Sequence, residues 1–326
     1  MKYFLTGATG FVGSWVAEKL TEKQAEVVCL VRPTSNLQWL EHLPVKYHRG
    51  SLFQPGSIEK AVEDADYILH IAGVTKALHR EDYYKGNVET TRNLLKMVEQ
   101  VNPGIKKFVL ISSQAAAGPS PTREPIDESF PPRPISDYGK SKLQSEIVAK
   151  EYGDKLPITI LRPPTVYGPR DSDVLEVFKN IKRGVSLKVG SVEQYISMIH
   201  VFDLAAGIIL AAESGQATGK TFFICDDQAY PWSEIVNILK EVMGRRAVNV
   251  TVPYPLAYGV ATVAELLSKM KGKPTVLNRR MMKEIQQPNW VISNKKIKTE
   301  LHFSPGISLD KGLKITYDWY REHKWL

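Results

Sequence analysis

Tyr138 and Lys142 stand four positions apart in the run Tyr138-Gly139-Lys140-Ser141-Lys142, and on a helix that spacing puts both side chains on one face. A free phenol loses its proton near pH ~10 and is a poor base at neutral pH. A fixed ammonium beside it favours the phenolate and draws the pKa toward the working range. The pair therefore reads as an acidified tyrosine placed to exchange a proton. Far upstream, Thr6-Gly7-Ala8-Thr9-Gly10-Phe11-Val12-Gly13 joins an apolar strand to a helix. Cβ atoms at the early glycines would keep the backbone away from a pyrophosphate, the helix N-terminus faces the anion, and the last glycine lets helix and strand pack closely. A dinucleotide is the expected ligand, held by Gly7, Thr9, Gly10, Phe11, Val12 and Gly13.

The end of the second strand bears on which dinucleotide. An Asp or Glu about 20 residues past the glycines would bind the ribose 2′-hydroxyl of NAD. This chain has Val31-Arg32-Pro33-Thr34-Ser35 there. Arg32 can hold a 2′-phosphate bidentately, and Thr34 or Ser35 can add hydroxyls. NADP is the expected cofactor ahead of NAD, unless Arg32 is only a solvated surface charge.

These groups need a scaffold, and the first half of the chain alternates apolar strands with amphipathic helices. Strands are expected at Tyr3–Thr6, Glu26–Val31, Lys46–Arg49, Tyr67–Ile71, Lys107–Ser112 and Ile158–Arg162. Helices are expected at Gly13–Glu22, Ile58–Val62, Val88–Glu99 and Tyr138–Tyr152. That alternation predicts an α/β fold, a doubly wound parallel sheet of the Rossmann type that binds ligands beyond its strands' carboxyl ends. Past Pro163 the rhythm loosens. Val174–Arg183, Val201–Glu213, Trp232–Met243, Pro255–Lys271 and Leu309–His323 read as helices and Thr221–Cys225 as a strand. The expected division is a dinucleotide-binding domain over 1–169 plus about 196–226, with an interleaved C-terminal substrate lobe from 170–195 and 227–326.

The chain has 326 residues, 43% hydrophobic and 24% charged, enough to bury a large core. No secretory signal is expected, and no run of ~20 apolar residues occurs in this sequence. Cys29 and Cys225 lie in apolar strand contexts and read as buried free thiols of a cytoplasmic protein. The formal charge of +8 clusters partly in Lys269–Lys273, Asn278-Arg279-Arg280 and Lys295–Lys298. Without zinc-finger, helix-turn-helix or aromatic stacking patterns it reads as a solvated basic surface. Neither a nucleic-acid partner nor a metal site is expected.

With Ser112-Ser113 after a strand and Tyr138…Lys142 downstream, the chain resembles the extended short-chain dehydrogenase/reductase family, which includes NAD-dependent epimerase/dehydratase proteins. The resemblance extends through His70-Ile71-Ala72-Gly73, Asn87–Leu95, Leu161–Pro169 and Ile199–Ala205. It implies Tyr138 as general acid/base, Lys142 as its tuning cation and ribose ligand, and Ser113, rather than Ser112, as hydrogen-bond partner of the reacting oxygen. It implies Ala72, Gly73, Pro163 and Val166 beside the cofactor. Asn87 is expected near the ribose or as a helix N-cap, and His200 and Asp203 as structural ties. Thr75, Gln114 and Thr165 are the expected substrate contacts, and a homodimer through a helix bundle would fit.

Departures narrow the chemistry. The usual adenine-binding Asp gives way to Gly50-Ser51-Leu52, leaving Ser51 and Leu52 to hold adenine. Ser113-Gln114-Ala115 stands where sugar-nucleotide 4,6-dehydratases carry Thr-Asp-Glu, so the carboxyl groups for eliminating water are missing. Ile196-Ser197-Met198 replaces the arginine that binds a nucleotide-sugar diphosphate, although Arg170, Lys179 or Arg183 could substitute. Met198 and the apolar helix Leu256–Leu267 point to a less polar substrate. The expected function is an NAD(P)-dependent oxidoreductase interconverting a secondary alcohol and a ketone. A sugar epimerase is the alternative, followed by a dinucleotide-binding protein without chemistry.

Overall fold

A computed structural model describes residues 1–272, 275 and 278–326. In chain order the strands are β1 (Lys2–Thr6), β2 (Glu26–Val31), β3 (Lys46–Arg49), β4 (Tyr67–His70), β5 (Lys107–Ile111), β6 (Ile158–Arg162), β7 (Thr165–Tyr167), β8 (Val185–Val189), β9 (Tyr195–His200), β10 (Thr221–Phe223), β11 (Ala229–Pro231), β12 (Val248–Val252) and β13 (Asn289–Trp290). Seven form one parallel sheet in the order β10-β6-β5-β4-β1-β2-β3. The order reverses between β1 and β4, and a doubly wound sheet opens a crevice at that point. The Rossmann architecture read from the sequence is the one found.

The continuous apolar runs are explained by burial on both faces. All residues of β4, β5 and β6 are buried. In β1, Tyr3 and Leu5 face a core with Val16 and Leu20 of the helix Phe11–Glu22 and with Leu204 and Ile208 of the helix Val201–Glu213. Phe4, one step out of phase, faces a second core with Leu94, Leu95 and Val148. The edge strand β3 is largely exposed and carries Lys46 and Arg49, charges that discourage edge-to-edge pairing.

Several bounds differ from the sequence reading. Strands expected to reach Ile71, Ser112 and Cys225 end at His70, Ile111 and Phe223, although the Ile71 and Ser112 amides still donate to the Thr6 and Leu161 carbonyls of the neighbouring strands at 3.2 and 2.7 Å. The helix expected from Val88 begins at Thr90, after a π-helical turn over Tyr84–Glu89. The smaller sheets were not foreseen: β11-β9-β13 with β7 on β9, and a parallel ribbon of β8 and β12. A third core of Tyr167, Phe178, Met198, Leu239, Leu313 and Tyr320 lies among those later elements. Cys29 and Cys225 are free and buried. Among the described residues, no helix is long and apolar enough to cross a membrane. Lys273, in one expected basic run, lies outside the described residues.

Candidate active site

The glycine turn caps β1 and opens the helix Phe11–Glu22. Gly7 has φ +78°, and a Cβ there would lie 2.6 Å from the Ala72 backbone nitrogen. At Gly13 a Cβ would come within 2.1 Å of the Gly7 carbonyl oxygen. Both positions are therefore closed to larger residues by the turn itself. The Gly10 amide donates to the Gly7 carbonyl at 3.0 Å. Gly10 supplies no side-chain cap, and the first helical turn carries no acidic residue. Its unpaired amides and dipole thus favour an anion. These residues fit a dinucleotide pyrophosphate.

The helix Asp137–Glu151 carries Tyr138 and Lys142 and is fixed from several sides. Ser136 caps it by accepting from the Gly139 amide at 3.2 Å, and Ser141 Oγ donates to the Tyr138 carbonyl at 2.7 Å. Asn87 Nδ2 donates to Ser141 Oγ at 2.9 Å and to the Val74 carbonyl at 3.1 Å, while its Oδ1 accepts from the Val74 amide at 2.7 Å. Asn87 lies inside the π-helical turn and is not an N-cap. It ties the loop after β4 to the helix of Tyr138. Below, Arg162 makes a fork to Glu146 at 2.9 and 2.6 Å, with both side chains nearly inaccessible.

The two serines after β5 part company. Ser112 Oγ donates to Glu146, beneath the site. Ser113 Oγ accepts from the Ala115 amide at 3.1 Å and lies close enough to Tyr138 to lower its pKa. Lys142 Nζ donates to the Ile111 carbonyl at 2.6 Å, and burial pushes its pKa down to about 8 against the pull of Glu146. A Cβ on exposed Gly73 would sit 3.7 Å from that ammonium and 3.1 Å from Asn87 Oδ1. The bare glycine leaves space above Lys142.

One expectation fails. Tyr138 is not acidified: burial raises its pKa, opposed by the nearby Ser113 hydroxyl and then by the charge of Arg280. Lys142 is turned toward the end of β5, whereas Arg280 lies over the Tyr138 ring at 4.9 Å and over Tyr83 at 5.6 Å. Arg280 also donates to the Thr75 carbonyl at 2.7 Å and to the Tyr83 hydroxyl at 2.8 Å, and pairs with Glu284 at 3.2 Å. Sequence reasoning placed Arg280 in a solvated basic run and overlooked Tyr83. The Arg280–Glu284 spacing of one helical turn was the available signal.

The remaining expected residues scatter around this centre. Exposed Thr75 touches Arg280 through its carbonyl. Gln114 is 3% exposed, donates its amide to the Pro163 carbonyl at 2.8 Å, and its Nε2 has no partner among the described residues. Thr165 is exposed on β7, with Val166 beside it half-buried. Arg32 is exposed at the end of β2, where its amide donates to Ser35 Oγ at 3.0 Å. Ser51 Oγ accepts from the Phe53 amide at 3.2 Å, and Leu52 is buried with its carbonyl held by Asn93. Arg170 is committed elsewhere, to Glu18 at 2.7 Å and over the Trp15 ring at 3.8 Å. Lys179 pairs with Glu176. Buried His200 accepts the Phe202 amide at 3.3 Å, and Asp203 accepts from Gly306 and Ile307 at 3.1 and 3.0 Å.

A parallel sheet of this order with a glycine turn at its first βα junction defines a class of dinucleotide-binding proteins. The chain belongs to the NAD dependent epimerase/dehydratase family, whose model matches residues 3–225. It is 26% identical to the ceramide reductase of Caulobacter vibrioides over 99% of this chain and 95% of that protein. It is 28% identical to the N-acetyl-alpha-D-glucosaminyl-diphospho-ditrans,octacis-undecaprenol 4-epimerase of Escherichia coli O157:H7, over 82% and 80%. Its structure superposes on a UDP-glucose 4-epimerase from Thermotoga maritima with a TM-score of 0.80 at 25% identity, over 99% of this chain and 100% of that one.

Proposed function

We propose that this protein is an NAD(P)-dependent oxidoreductase that interconverts a ketone and a secondary alcohol on a predominantly apolar molecule. The arrangement that carries this reading is Tyr138 and Lys142 one turn apart on a single helix, with Ser113 beside the phenol. A bound nicotinamide would supply or accept the hydride. Tyr138 would hand its phenolic proton to the carbinol oxygen in reduction and take it back in oxidation, with Ser113 donating a hydrogen bond to the same oxygen. The raised phenol keeps the donor protonated at neutral pH, which suits reduction. Lys142, below bare Gly73, would hold the nicotinamide ribose. The unpartnered side-chain Nε2 of Gln114 would donate to the substrate, with Thr75 and Thr165 as further contacts.

The apolar substrate is supported by the want of an arginine in Ile196-Ser197-Met198, where Met198 is buried in the third core, and by the commitment of Arg170 to Glu18, which removes one candidate diphosphate ligand. The similarity to a ceramide reductase points the same way. NADP is the preferred cofactor in this reading, with Arg32 free to meet a 2′-phosphate at a strand end that carries no carboxylate. The substrate lobe would be built from 170–195 and 227–326, and a homodimer through the helix bundle belongs to the same reading.

The test measures NADH and NADPH affinity and then screens lipid-like ketones and nucleotide sugars with the tighter cofactor. Net consumption of reduced cofactor with a ketone supports the proposal. The similarity to two sugar 4-epimerases favours a second reading, in which the same centre oxidises and re-reduces one sugar. Epimer formation without net cofactor consumption would establish that reading instead.

A further inference from the structure

The helix Tyr254–Lys271 buries only a narrow side. Ala257 and Ala261 pack against Met282, Val189 and Val252. Its other side carries Leu256, Val260, Val263, Leu267 and Met270, which are 60, 51, 58, 48 and 77% exposed. At 3.6 residues per turn these five lie within an arc of roughly 80°. They form one apolar stripe along the whole helix, turned to solvent. The ribbon extends it: Val250 pairs with Leu187, and Leu187, Val248 and Val250 are 44, 70 and 40% exposed. They share a ribbon face with Val189 and Val252, the two residues that pack under the helix. Scattered exposed apolar residues need no explanation, whereas a continuous outward surface marks an interaction site.

Charge decides the occupant. Residues 245–284 contain eight Lys or Arg and two acidic residues, Glu265 and Glu284, a net +6 against a formal +8 for the whole chain. Arg280 is turned into the candidate site and pairs with Glu284, and Arg279 and Lys269 pair with Glu265, whereas Arg245, Arg246, Lys271 and Lys283 have no ion pair among the described residues. Arg245 and Arg246 are exposed just before β12, and Lys271 is exposed at the edge of the stripe. A second copy seated on this face would bring two such clusters together. An anionic surface would neutralise them. A helix with an outward apolar stripe, flanking cations and too little hydrophobicity to span a bilayer is suited to lie in the interface plane.

We infer that this face docks the protein onto the surface of an anionic lipid bilayer, with the stripe Leu256–Met270 sunk among the acyl chains and the basic residues against the headgroups. The inference is independent of which reaction the site performs. The experiment sediments the full chain with vesicles of phosphatidylcholine, with and without phosphatidylglycerol, at low and high salt. Binding to the phosphatidylglycerol vesicles only, and release by salt, is expected. Val263→Glu with Leu267→Glu should abolish binding, and Lys271→Gln should weaken it about fivefold. Far-UV circular dichroism, melting temperature and dinucleotide affinity establish that each variant is folded. Equal binding to neutral vesicles, no binding to either, or binding that survives the double Glu variant overturns the inference. So does a stable dimer that the double variant dissociates without any vesicle binding by the parent.

Discussion

The guanidinium of Arg280 lies 4.9 Å from the centroid of the Tyr138 ring, so a cation beside the candidate proton donor comes from late in the chain. Its charge lowers the Tyr138 pKa, against the burial that raises it. Arg280→Gln removes that opposition. In alcohol oxidation, which needs the phenolate, the pH at which kcat/KM levels off should move upward in this variant. An unchanged profile would separate Arg280 from proton transfer and leave it as a tie between Thr75 and Tyr83.

Tyr138→Phe deletes the proton donor and leaves the ring packed on Tyr83. Turnover should fall by about 10²–10⁴-fold, with dinucleotide affinity in calorimetric titration unchanged. Full activity in the variant would place the proton donor elsewhere.

Glu146 couples the end of β5, the helix of Tyr138 and β6 through Ser112 and Arg162. Glu146→Ala leaves the Arg162 charge buried and unpaired, which should cost about 3–5 kcal/mol. A urea midpoint indistinguishable from the parent would show that water reaches Arg162 in the variant.

Gly13→Ala puts a methyl against the Gly7 carbonyl, a backbone atom that can yield only if the turn opens. Destabilisation of about 1–3 kcal/mol is expected, together with weaker dinucleotide binding. Retained stability with lost binding would show that the turn opens away from the ligand.

Acid lability follows from two buried histidines. Burial lowers His70 to about 3 and His200 to about 4 from an ordinary 6.5. Below 6.5 the unfolded chain binds protons that the folded one refuses, so their contribution is complete above pH 6.5 and is lost as pH falls toward 4. Asp171, raised to about 6 by burial, and Glu128 and Asp203, also raised by burial, work the other way and offset part of this loss. The melting temperature should drop between pH 6.5 and 4, and less steeply in His200→Asn. Equal slopes would remove His200 from the account.

The first half of the chain was legible because strands buried on both faces are short apolar runs punctuated by turns. Expected and observed bounds coincide for β2, β3 and β6. Glycine spacing and the Tyr138–Lys142 interval likewise located the elements of the candidate site. The later sheets were opaque for a physical reason. Strands β7 and β11 have three residues each and β13 has two, too few for a period to register. Arg280 was hidden for another: it reaches Thr75 and Tyr83 across 205 and 197 positions of chain, and local pattern carries no information at that range. The direction of the Tyr138 shift depends on burial, which spacing alone does not reveal.

Trp15 belongs to the helix that opens at the glycine turn, and its indole donates to the Pro169 carbonyl at 2.9 Å beneath the guanidinium of Arg170. Arg170 also covers Trp39, which touches Trp319 and Trp325 near the end of the chain. The first helix is thus mechanically strutted to the loop after β7 and, through tilted ring contacts, to the last helix. Displacement of any one of these parts must change the surroundings of an indole. Tryptophan emission is therefore a built-in optical gauge of how the parts move against one another, readable without attaching a dye.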